Sequence, residues 1–165
     1  MAVPSALTEA FRTRMAALWQ GMITDSVAAA MPAFFPRSAY LQVKAISNAG
    51  ADFQDRLVAA FGQDLHAAHV LLGSNAPTAH LIGVEVPNQW RWIPPGGCYN
   101  HIGYWHAPGS RLIYREQGVV KSFGVFSLIS WRGEWYVVHL SSYDAPGTVD
   151  HPATGRGAFG PPGGC

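Results

Sequence analysis

The feature that most constrains this chain is a change of hydrophobic period near residue 79. Before it, apolar residues recur every three or four positions. Leu7, Phe11, Met15, Leu18 and Met22 form one stripe, and Phe53, Leu57, Phe61, Leu65 and Leu72 form another. After it, apolar and polar residues alternate, and short Gly- or Pro-bearing segments interrupt the runs. A spacing near 3.6 places a stripe on one helix face, whereas a spacing of two places it on one face of a strand. Helices first and strands afterwards, joined by short turns, predict an α+β domain with an antiparallel sheet.

The first stripe predicts a helix from about Ser5, read as its cap, to Ile23. Thr24-Asp25-Ser26 is a second cap signal opening a short helix over Val27 to Met31, which Pro32 ends and Pro36 keeps from resuming. Tyr40 to Ile46 reads as a short strand, with a helical turn as the rival, and Asn48 to Asp52 as a loop. Asp52 then caps a helix running to Gly73, followed by a turn over Ser74 to Thr78. Five strands are expected: Ala79 to Val86, Tyr99 to His106, Ser110 to Glu116, Val119 to Trp131 and Glu134 to Ser142. Their connections, Ala107-Pro108-Gly109, Gln117-Gly118 and Arg132-Gly133, read as hairpins.

With Arg132-Gly133 as turn residues, Trp131 faces Glu134, Ser130 faces Trp135 and His139 faces Phe126. Both faces of this hairpin are then apolar. Helices can cover the face of Phe123, Val125, Ile129 and Tyr136. A pocket, a second subunit or the C-terminal tail must cover the face of Phe126, Leu128, Trp135 and Val137.

The chain has 165 residues, 48% hydrophobic and only 13% charged, with net charge +1. One domain is expected over residues 5–144, with a Pro/Gly-rich tail over 145–165. No Lys/Arg run supplies the clustered cations that nucleic-acid binding requires. No apolar stretch approaches the roughly 20 residues of a membrane span. Glu9, Arg12 and Arg14 at helical spacing argue against a signal peptide within the chain as written.

Two or three helices followed by a curved antiparallel sheet resemble the NTF2-like, or cystatin-like, α+β cone. The segment from Asp25 to Pro36 is similar to that superfamily's second helix, leading into a short strand at Ala39-Tyr40-Leu41-Gln42. Residues Ser130 to Leu140 are similar to its closing hairpin. The run from Gly96 to His106 and that hairpin also resemble uncharacterised secreted or envelope-associated actinobacterial proteins. The resemblance implies a helix-backed cone with an interior that in some members binds ligands and in others carries a carboxylate or His–Asp pair. Here Asp25 also reads as a cap, and Glu85 is the one acidic candidate for an inward strand position.

Several residues carry candidate chemistry. Cys98 and Cys165 are the only cysteines, both preceded by Pro-Pro-Gly-Gly. Paired, they would staple the tail to the body, stabilise it by about 4 kcal/mol and imply an oxidising, extracytoplasmic setting. The competing reading is two unrelated thiols. His66 and His69, three apart on one helix face, lack a third ligand for a metal site and read as half-buried histidines, and no cofactor motif is present. Alternation over residues 99–106 puts Tyr99, His101 and Trp105 on one face and Asn100, Tyr104 and His106 on the other. Such an aromatic, His-rich wall suits stacking on a ligand, although the same residue types also simply fill sheets. Arg111 can clamp a carboxylate or pair internally with Glu116 or Asp144, and His139 reads as a core histidine. The primary expectation is a domain binding a small molecule or a protein partner through this face. The alternatives are an enzyme using His101, His106 or His139 with Tyr104 and Arg111, and a structural homodimer.

Overall fold

The computed structural model describes residues 1–161. Helices α1 (Glu9–Thr24), α2 (Val27–Ala30), α3 (Arg37–Val43), α4 (Ala49–Asp52) and α5 (Ala59–Leu72) precede strands β1 (His80–Glu85), β2 (Arg91–Ile93), β3 (Tyr104–Glu116), β4 (Val119–Trp131) and β5 (Glu134–His139). The protein is α+β, with a five-stranded antiparallel sheet that does not close. The order is β1-β3-β4-β5, and β2 pairs with β3 as well. No helix among the described residues is long and apolar enough to cross a membrane.

Helix α1 begins later than its pattern predicts. Thr8, not Ser5, accepts from the Phe11 amide at 3.0 Å, while Ser5 Oγ accepts from Leu7 N. The Pro4 carbonyl, which a longer helix would bond internally, instead accepts from Trp135 Nε1 at 2.9 Å. Ser26 caps α2 as its sequence suggests, through the Ala29 amide. Residues 37–43 are helical, so over the first half of Tyr40 to Ile46 the helical rival replaces the expected strand, and Pro36 is the N-cap of α3 rather than a barrier. A proline's fixed φ and missing N–H cost nothing at a helix start, so Pro36 ends one element and opens the next. The expected loop at 48–52 is helical too. Residues 49–72 run continuously, with a π-helical segment, Phe53–Val58, in the middle. Asp52 caps nothing there; its carboxylate goes to Tyr40 and Arg56.

Both predicted two-residue hairpins form. Gln117 and Gly118 (φ 49° and 79°) and Arg132 and Gly133 (φ 51° and 83°) are left-handed, as a type I′ turn requires of its central pair. The third predicted hairpin does not form: β3 passes straight through Ala107-Pro108-Gly109. Its edge partners explain why. β2 pairs with residues 104–106 of β3 and β1 with residues 111–115, so Pro108 falls in the gap between them. A strand tolerates proline where no ladder amide is needed. Residues 99–103 are not strand, and the short β2 was not anticipated.

The β4–β5 register agrees with the expected Trp131–Glu134 and Ser130–Trp135 pairs, then slips. A bulge shifts the pairing so that His139 opposes Ser127 rather than Phe126, since one extra residue moves every later side chain relative to its partner strand. The sheet also bends. Arg14 of α1 bonds Glu134 at 2.8 Å, and Trp19, one and a half turns on, lies 5.1 Å from the Tyr114 ring. Glu134 pairs with Trp131 and Tyr114 with Lys121, ten residues apart on β4. Straight, that span is about 33 Å, far beyond the roughly 8 Å of helix between Arg14 and Trp19.

Both chain ends reach the face opposite His106. Trp105 Nε1 donates to Met1 O at 3.0 Å, and Trp135 holds Pro4 as noted. The tail lies over Arg111, Ser122 and Gly124. Gly124 N donates to Asp150 O at 2.8 Å, Ser122 Oγ donates to Arg156 O, and Gly160 N donates to Gly109 O at 3.1 Å. A Cβ on Gly109 would sit 2.6 Å from Gly160 Cα, so the two backbones are in direct contact. The pairing of Cys98 with Cys165 falls on Cys165, outside the described residues.

One buried carboxylate ties these parts together. Asp64 of α5 is fully buried and accepts from Leu140 N (3.0 Å), Ser141 N (3.1 Å), Ser141 Oγ and Gly147 N (2.8 Å). Asp64→Asn replaces one accepting oxygen with a donor that faces N–H groups. It should lower the unfolding free energy by roughly 3 kcal/mol. Urea denaturation measures this directly, and a loss below about 1 kcal/mol would show that the cluster is not a determinant of stability.

Candidate functional site

A cavity of about 650 Å³ lies between α3, the π-helical segment and the sheet. By register, Tyr104, His106, Ser127 and Ile129 share one sheet face, and the bulge brings His139 onto it. All five line the cavity, together with Phe35, Tyr40, Val43, Lys44, Leu57, Phe126 and Val138. Tyr99, 77% exposed, and Tyr143 stand at its opening.

The helical wall supplies the charge. Tyr40 and Lys44 are four apart across the end of α3, so they project from one side. Asp52 and Arg56 are four apart on the next helix, and Arg56 holds Asp52 with two bonds, Nε to Oδ1 at 2.7 Å and Nη2 to Oδ2 at 2.6 Å. Tyr40 donates to the same carboxylate and accepts from Arg56 Nη2 at 3.0 Å. The Arg56 hydrogen bond is the main cause holding the Asp52 carboxyl below its usual range, and burial is the first cause raising the Tyr40 hydroxyl. Asp52 is thus fully engaged. Lys44 Nζ donates to Cys98 O at 2.9 Å and has no carboxylate partner among the described residues. Burial, then the Arg56 charge, lowers its pKa. Asn100, joined to Lys44 by a backbone bridge, is buried.

The sheet wall supplies neutral polar groups. His106 Nε2 and Ser127 Oγ are hydrogen-bonded at 2.9 Å. Burial first, then the Arg91 charge, pushes the His106 pKa down to about 4. His139 is also pushed down to about 4, by burial opposed by Asp64 and reinforced by Arg56 and Lys44. Among the described residues, no cavity histidine contacts an Asp or Glu; the one His–carboxylate pair, His66 with Asp25 at 2.8 Å, is on the surface. Likewise no group of three His, Cys, Asp or Glu side chains among the described residues is placed to hold a metal. His69 Nδ1 is instead hydrogen-bonded with the Met22 carbonyl.

The structure therefore gathers Tyr99, Tyr104, His106 and His139 from the predicted set and leaves three elsewhere. His101 is exposed on the segment before β3. Trp105 points to the opposite face, edge-on to Trp92 at 5.4 Å. Arg111 is 3% exposed under the tail, paired with Asp150 rather than Glu116 or Asp144, with Ser122 also bonded to its guanidinium. Glu116 pairs with Lys121 instead, and Glu85 with Arg156. Tyr40, Lys44, Arg56 and Ser127 were missed. The first three carry a legible i, i+4 spacing, but only once residues 37–58 are read as helix.

The two histidines set a pH response. Each stays neutral in the fold to about pH 4, while the unfolded chain takes up protons near pH 6.5. Between those values the unfolded state binds more protons, so stability is complete above the window and falls as pH drops through it. The slope is about 1.4 kcal/mol per pH unit for each histidine near mid-window. Urea midpoints at pH 7 and pH 5 should therefore differ less in His106→Gln/His139→Gln than in the native chain; equal pH sensitivity would refute the assignment. Comparison of the chain with known protein families, curated proteins and solved structures finds no match.

Proposed function

We propose that this chain is an NTF2-like cone domain whose interior cavity binds a small, largely apolar molecule. The observation that carries the reading is the cavity itself. Its volume of about 650 Å³ falls in the range of small-molecule sites, and its walls have the usual composition of aromatic and aliphatic groups with a few convergent polar atoms. Two further features support it. The π-helical segment carries Arg56 and Leu57 into the wall, and such segments cost helix regularity and recur at functional sites. The His139 ring, which accepts or donates no hydrogen bond among those described, lines the space and so is free to meet a guest. Helices ahead of an open, bent antiparallel sheet agree with the cone architecture but do not by themselves single it out.

A neutral fluorophore tests the cavity without invoking charge. N-phenylnaphthylamine should brighten on binding the native chain. Ile129→Trp, which fills the interior from the sheet wall, should abolish that signal while the protein keeps a cooperative thermal transition. Unchanged brightening in folded Ile129→Trp would place the probe on exposed aromatics such as Trp90 and Trp92 and overturn the reading.

A further inference from the structure

We propose that the cavity selects organic monoanions, specifically carboxylates on an aromatic or aliphatic body, and that Lys44 is the group that reads the carboxylate. The inference rests on the cavity-binding reading above and adds a charge to the guest.

The argument is a charge inventory of the walls. Among the described residues, the lining contains two cationic side chains, Lys44 and Arg56, and no Asp or Glu. Arg56 is committed to Asp52 through two hydrogen bonds, and Tyr40 takes a third place on that carboxylate. Asp64, the other acid whose field reaches the cavity, spends its oxygens on Leu140, Ser141 and Gly147. Arg91 adds positive potential from β2, felt at both Tyr104 and His106. The sheet-wall histidines do not cancel this field and do not add to it, because they are uncharged. What is left over is one ammonium. Lys44 Nζ has three donor hydrogens and one described acceptor, the Cys98 carbonyl.

An ammonium in a mostly apolar enclosure is stabilised by an anion that arrives with its own apolar body. Such a guest buries a ring or chain against Phe35, Val43, Leu57 and Phe126 and directs its carboxylate to Nζ. A neutral guest would leave Lys44 as it is, and a cation would be repelled by Lys44, Arg56 and Arg91 together. Lys44 follows the last residue of α3, so its position is fixed by the helix that begins at Pro36 rather than by a free loop.

The test compares naphthylacetate with naphthylethanol, an acid and an alcohol of nearly equal shape, by titration calorimetry at low ionic strength. The native chain should bind the acid about tenfold or more tightly than the alcohol. Lys44→Met should erase that preference and Lys44→Arg should retain most of it, with thermal transitions confirming that each variant is folded. If the Lys44→Met chain does not fold, Lys44→Gln serves the same comparison. Equal affinity of the native chain for acid and alcohol would overturn the anion preference and leave the cavity-binding reading intact. A preference that survives Lys44→Met would overturn the assignment to Lys44. Failure of both ligands, together with failure of N-phenylnaphthylamine, would remove the binding reading itself.

Discussion

The geometry of the lower half of this molecule depends on one buried carboxylate. Asp64 leaves α5 and meets four donors from a stretch only eight residues long, from Leu140 to Gly147. A buried ion of this kind is tolerable only when nearly all of its acceptor positions are filled. That requirement fixes three things at once: where β5 stops, where the chain turns, and from where the tail departs. Ending β5 at His139 rather than at Ser142 is therefore not fraying. The amides of Leu140 and Ser141 serve Asp64 and are not available to a strand partner.

The cavity inherits its shape from that constraint. The bulge beside Ser127 lies just ahead of the Asp64 cluster, and it turns His139 toward Ser127 and His106. Without the bulge, strict alternation would pair His139 with Phe126 instead of Ser127. Across the cavity, α3 and the π-helical segment bring a cationic edge formed by Lys44 and Arg56. The two walls differ in kind. The sheet wall presents polar atoms kept uncharged by burial, and the helical wall presents charge of which one part is internally paired.

Much of the sheet was legible because its signals are local. Gln117-Gly118 and Arg132-Gly133 each supply the left-handed pair that a tight hairpin needs, and the alternation of β4 from Val119 to Trp131 needs no tertiary information. The errors arose where a residue's local preference was overruled by a distant partner. Ser5 is a good cap, but Trp135 takes the neighbouring Pro4 carbonyl. Pro108 looks like a turn, but the gap between β1 and β2 leaves room for it in a strand. Asp52 resembles a cap, but Tyr40 and Arg56 claim its oxygens. Reading Tyr40 to Ile46 as strand hid the i, i+4 placement of Tyr40 and Lys44, and with it half of the candidate site.

Arg111 shows why residue type alone misplaces a binding group. An arginine at a strand start is well suited to clamp an external carboxylate. Here the tail brings its own, Asp150, and the backbone carbonyl of Arg156 occupies Ser122 beside it. A buried guanidinium left unpaired would be strongly destabilising, so the tail's path is set by Arg111 as much as by the apolar surface it covers. Of the two readings open for Arg111, clamp or internal pair, the fold takes the second, with Asp150 as the partner. Lys44 sat unremarked in a segment read as strand, and it is the cavity-lining cation left without a carboxylate among the described residues.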